Sequence, residues 1–144
     1  MKKENRKGQI NLSFGMIFSI ILIIAFIVFA FYAIKKFLDF QDTINIEKFK
    51  DDLQSDIDAM WKSSDGSQQV EYNLPRKITA VCFKDDDYEN LYFRPETISG
   101  KKIEHLYIIA TLNEQDSACF ENTNGKVKMI IKKDFSDVLV TISD

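Results

Sequence analysis

Few side chains in this chain of 144 residues could carry chemistry, and they do not converge on any recognisable constellation. Cys82 and Cys119 are the two thiols, and neither has a neighbour at metal-ligand spacing, so no zinc site is expected. His105 is the single histidine and stands between Glu104 and Leu106 at the start of an apolar run, where it reads as structural or solvated. Asp85, Asp86 and Asp87 with Glu89 could gather a hard cation such as Ca²⁺. Their spacing fits no EF-hand loop, and they read as a solvated turn between strands. There is no Gly-rich phosphate loop, no Gly-x-Ser-x-Gly and no His-Glu-x-x-His. The expectation is a protein without catalytic residues, cofactor or metal, and not an enzyme.

The elements that would hold such residues are more informative. Residues 10–34 contain no Asp, Glu, Lys, Arg or His and are dominated by Ile, Val and Phe. A hydrocarbon core about 30 Å thick needs about 20 apolar residues in a helix. A helix also satisfies its backbone polar groups internally, which lipid requires. This run therefore reads as a transmembrane helix. It is too long for the apolar core of a cleavable secretory signal, and Lys35, Lys36, Phe37, Leu38 and Asp39 follow it instead of a small-residue cleavage site.

Lys2, Lys3, Arg6 and Lys7 precede the span against only Glu4, which sets residues 1–9 on the cytoplasmic side by the positive-inside bias. Taking those four basic residues and one acidic residue from totals of 19 and 22 leaves 15 basic and 21 acidic side chains beyond the span, a formal −6. That part would lie outside the cell, and its acidity argues against nucleic-acid binding, which needs a basic footprint.

Arg6, Lys7, Gly8 and Gln9 stand directly against the apolar run. This junction resembles the class III signal peptides of archaeal type IV pilin-like proteins. The resemblance implies cleavage by a prepilin-type peptidase between Gly8 and Gln9, with the apolar helix retained as anchor and assembly element. Pilins of that kind carry Glu at the fifth mature position, where this chain has Ser13. Ser13 cannot neutralise a neighbouring subunit's terminal amine, which implies a minor subunit or small assemblies rather than a long homopolymer.

After the span, apolar residues recur at Phe37, Phe40, Ile44, Ile46, Phe49, Leu53, Ile57, Met60 and Trp61, with helical steps of three and four from Ile46 to Met60. No Pro intervenes before Pro75. The spacing predicts one helix from about Gln9 to about Trp61, its later half amphipathic and lying under a small sheet. The competing arrangement is two helices broken near residues 39–42.

From Ser67 the period becomes two: Val70, Tyr72 and Leu74, then Ile78, Ala80 and Cys82, then residues 91–93 and 106–112 as further strand-like runs. Asn124-Gly125 signals a hairpin between Cys119-Phe120 and residues 127–131. A turn at residues 134–137 precedes the alternating Val138, Val140 and Ile142. Residues 63–69 are the expected linker. The fold class is α+β: a single N-terminal transmembrane helix continuing as an amphipathic helix packed on a small antiparallel sheet of about five or six strands. The divisions are 1–9, a basic cytoplasmic N-terminus; 10–34, the span; 35–63, the amphipathic helix; and 64–144, a small exterior domain, mostly β.

An exterior location lets disulfides persist, and so small a domain has a thin core. A Cys82–Cys119 disulfide is expected, worth about 3–4 kcal/mol in the chain-entropy model. Two functions are then open. One is a structural or assembly protein of the cell membrane, resembling a pilin-like subunit, whose partners are the lipid bilayer and like subunits or other membrane proteins met through the span. The other is a stand-alone single-pass protein whose exterior domain binds a partner or ligand.

Overall fold

The computed structural model describes residues 14–144. The chain divides into two compact units, Met1–Phe40 and Gln41–Asp144. The first, as far as it is described, is helix with every residue exposed. It belongs to α1 (Phe14–Lys62), 49 residues without a break, so the continuous alternative is the one found. At 1.5 Å per residue α1 is roughly 70 Å long.

In the second unit α1 buries Ile46, Phe49, Lys50, Leu53, Ile57 and Met60. The stripe begins at Ile46; Ile44, two positions earlier, stays 48% exposed. The helix ends without a Gly cap. Lys133 Nζ instead donates to the carbonyls of Trp61, at 2.6 Å, and Ser63, at 2.8 Å. A cation there satisfies carbonyls that the helix leaves open and opposes the negative end of its dipole.

Three residues connect α1 to β1 (Gly66–Asn73), so residues 66–69, expected as linker, are strand. The remaining elements are β2 (Ala80–Phe83), β3 (Leu91–Arg94), α2 (Ile108–Leu112), β4 (Ala118–Glu121), β5 (Lys126–Lys133) and β6 (Thr141–Ser143). They form two three-stranded sheets, β1-β5-β6 and β3-β2-β4, with every pairing antiparallel.

Period two is visible in burial. Val70 and Tyr72 of β1 and Val127, Met129 and Ile131 of β5 are buried, while Glu71, Lys126 and Lys128 point outward. β2 is buried along its whole length, as a central strand covered on both faces must be. The α1 stripe joins residues of both sheets in one core, in which Phe49 meets Tyr72 and Phe93 edge to face at 5.2 and 5.9 Å. Such pairs add to plain area burial.

Three further expectations are corrected. Residues 106–112 are not a strand. Leu106 makes one bridge to Val140, and the chain then turns into α2, closed by Asn113 in the left-handed region at φ 47. A short apolar run fits either period. Thr111 Oγ1 accepts the Ile142 N–H at 3.2 Å and ties α2 to β6. The Asn124-Gly125 hairpin is real but brief. Both residues have positive φ, 56 and 85, and Thr123 and Lys126 exchange two main-chain hydrogen bonds. β4 and β5 then part into different sheets. Asn122 holds β4 away, its Nδ2 donating to the carbonyls of Pro75 and Ile78. The turn at residues 134–137 forms as expected, closed by Asp137 N–H on the Asp134 carbonyl, but Val138 beside it is 77% exposed and outside any strand.

Candidate functional site

Taken by itself, the first unit offers one feature: an uncovered apolar helix. Phe18, Ile21, Phe26, Phe29 and Phe31 are each more than half exposed. α1 is long and apolar enough to cross a membrane, and none of its most apolar stretch is buried. Ser19, a polar side chain in this stretch, donates to the Gly15 carbonyl four residues back, at 2.8 Å. That removes its cost in an apolar surrounding. Past Lys35 and Lys36 the apolar exposure continues at Phe37, 65%, and Phe40, 63%. Gly8, Gln9 and Ser13, on which the peptidase junction rests, lie outside the described residues, as do Lys2, Lys3, Arg6 and Lys7.

In the second unit Cys82 and Cys119 are joined, Sγ to Sγ. The bond is directly cross-strand, since Cys82 and Cys119 are register partners on β2 and β4 with Cα atoms 4.0 Å apart. Asn122 N–H donates to the Thr79 carbonyl, so pairs alternate from there and Cys82–Cys119 falls on a non-hydrogen-bonded pair, where side chains come closest. Cys82 is fully buried and Cys119 half-buried.

His105 is not at a strand start; it has φ 60 and is fixed against α1. Its ring stacks on Trp61 at 3.8 Å, and Nδ1 lies 2.9 Å from Asp58 Oδ1. Hydrogen bonding from His105 holds the Asp58 carboxyl below its ordinary pKa. Gln54 completes the cluster, donating to Asp58 and accepting the Glu104 N–H at 2.9 Å. An Asp–His pair is half of a nucleophilic machine, but among the described residues no Ser, Thr or Cys is hydrogen-bonded to the ring. What the cluster does is fasten the segment around residue 105 to the helix. Sequence reasoning missed Gln54, Asp58 and Trp61 as partners; they lie one helical step apart, but nothing local links them to a residue so far along the chain.

The acidic run is a turn between β2 and β3. Asp86 Oδ1 accepts the N–H groups of Tyr88 and Glu89 at 2.9 and 3.1 Å, and these with Lys84 lower its pKa to about 2. Glu89 turns away and accepts the Gly100 N–H. Gly100 is forced at its position, because a Cβ there would sit 2.0 Å from the Leu91 carbonyl oxygen. Among the described residues no three His, Cys, Asp or Glu side chains come together as metal ligands.

Other titratable groups serve packing. Burial, and then Asp56 accepting its hydroxyl, raise the pKa of Tyr72. Lys126 lowers that of Glu71. Lys50, nearly buried, pairs with Glu47 at 2.8 Å and lies over the Phe93 ring. Comparison with known proteins returns no match to a family model, to a curated protein or to a solved structure.

Proposed function

We propose that this chain is a membrane-anchored structural subunit resembling a minor pilin, with residues 10–34 in the bilayer, residues 1–9 cytoplasmic, and the disulfide-bonded domain outside the cell. One observation carries the reading: α1 runs unbroken from Phe14 to Lys62 and leaves its apolar first half uncovered on every side. A helix apolar all round needs an apolar surrounding, and lipid is the one that accepts a helix of this length. Phe37, Phe40 and Ile44, exposed at steps of three and four beyond Lys35 and Lys36, suit packing on a neighbouring helix. The reading assigns the domain no catalysis.

The test is the mass of the protein extracted from membranes. A chain beginning at Gln9, and its loss in Gly8→Val, supports the assembly subunit. A chain beginning at Met1 in both overturns it. Ser13, standing where pilins carry Glu, favours a second reading in that event, a stand-alone single-pass protein with a partner-binding exterior domain. Protease applied to intact cells should digest the domain under either reading.

A further inference from the structure

The longest strand that borders a sheet does so without protection. β1 pairs with β5 alone, in continuous register from Gly66↔Lys133 to Asn73↔Lys126. Leu74 N–H donates to the Gly125 carbonyl, which makes that pair hydrogen-bonded and fixes the alternation back along the strand. The main-chain groups of Gln68, Val70 and Tyr72 therefore face β5, and those of Ser67, Gln69, Glu71 and Asn73 face away from the sheet. Among the described residues no hydrogen bond reaches these four outward-facing N–H and carbonyl pairs. Their side chains are exposed as well. Edge strands are ordinarily blunted by Lys, Pro, a bulge or short length. This one has eight residues, an unbroken register, no Lys and no Pro.

Beside the end of that edge lies a groove of about 160 Å³ between α1 and β1, with Asn45, Lys48, Phe49 and Asp52 on one wall and Glu71, Tyr72 and Asn73 on the other. A neighbouring strand's side chains would enter it on the face that Val70 and Tyr72 share. On the opposite face Glu71 is the one charge the strand carries. β5 already shows how that carboxylate is met, through Lys126 at 2.5 Å and Lys128 at 3.6 Å.

We propose that β1 is a docking edge for an extended segment of a partner polypeptide, which adds as a fourth strand. Its side chains alternate apolar, toward α1, with polar, and a basic residue stands opposite Glu71. Main-chain pairing supplies affinity, and the groove and Glu71 supply selection. The inference concerns the second unit alone and does not rest on how the N-terminus is processed.

The experiment is an NMR titration of the full chain in micelles with a synthetic seven-residue peptide of alternating valine and threonine, carrying one lysine at its central threonine position. Before peptide is added, amides of Ser67, Gln69, Glu71 and Asn73 should exchange fast, and those of Gln68, Val70 and Tyr72 slowly. Peptide should shift and protect the fast set. Gln69→Pro removes an outward N–H without touching β5 and should weaken binding roughly tenfold, the effect of one or two unmade hydrogen bonds. Ser67→Pro serves the same purpose should Gln69→Pro fail to fold. A peptide with glutamate in place of lysine should bind more weakly, and Glu71→Gln should narrow that difference. No shift at millimolar peptide, shifts centred elsewhere, or equal binding by a folded Pro variant would each overturn the proposal.

Discussion

Two stretches of the same helix make opposite use of the same residue types. Between Phe14 and Phe40, Ile and Phe side chains are exposed without exception, whereas Ile46, Phe49, Leu53, Ile57 and Met60 are buried in a mixed core. Composition separates them. The first stretch has no charged residue before Lys35, so it has no polar face to offer water. The second interleaves its apolar stripe with Lys48, Asp51, Asp52, Asp56 and Asp58. The chain stabilises one stretch through its own core and leaves the other, as far as it is described, exposed.

Phe49→Ala removes a ring that is 2% exposed and should cost the domain about 3–5 kcal/mol in denaturant unfolding. Under the proposed membrane anchoring, retention in the membrane fraction should not change. If Phe49→Ala released the chain from membranes, the two stretches would not be independent.

Replacing both Cys82 and Cys119 by Ala opens a loop whose ends are 37 residues apart. It should lower the unfolding free energy by about 2–4 kcal/mol. Unfolding with and without reductant checks this, since the wild-type protein should lose stability on reduction and the variant should not respond.

The converse change is Ile23→Arg, in the stretch whose described residues are all exposed. A guanidinium at the middle of a span costs about 2.5–3.5 kcal/mol of insertion. The expected result is a larger soluble or degraded fraction, with the unfolding midpoint of the domain unmoved.

At the end of α1, Lys133→Met keeps the aliphatic stem and removes the ammonium that caps the carbonyls of Trp61 and Ser63. A loss of about 1 kcal/mol is expected, with faster amide exchange in the last helical turn. Unchanged exchange there would mean that the helix end is held by packing alone.

The smallest effect concerns acid. Asp86 has its pKa lowered from 3.8 to about 2 by hydrogen bonds that its charged form accepts. A depressed carboxylate adds stability above its unfolded pKa and loses it as pH falls through the folded value. Asp86→Asn should therefore be somewhat less stable than the wild type at pH 7, lose less between about pH 4 and pH 2, and converge with the wild type near pH 2. An unaltered acid limb would assign that loss to Asp58 and Glu71, whose pKa values are also lowered.

Much of this was legible in local order. The uncharged run, the three-four spacing from Ile46 to Met60 and the alternation of β1 and β5 follow from periods that neighbouring residues reveal by themselves. The disulfide was reachable by a different route, from a small domain expected in an oxidising setting and holding two cysteines. What was not legible depended on residues far apart. The expected strand is α2, which Thr111 ties to Ile142 of β6. Asn122 reaching Pro75 and Ile78 parted the strands of a correctly read turn. Asp58 and Trp61 took up His105, which sequence left without partners. A side chain's period is a property of its neighbours in sequence, so the apolar run, the amphipathic stripe and the buried face of Val70 and Tyr72 followed from the sequence, while the continuity of α1 across residues 39–42 did not. Which strands share a sheet, which edge stays open and which carbonyl receives Lys133 are settled by competition among distant hydrogen-bonding groups for the same buried space, and only the tertiary structure decided them.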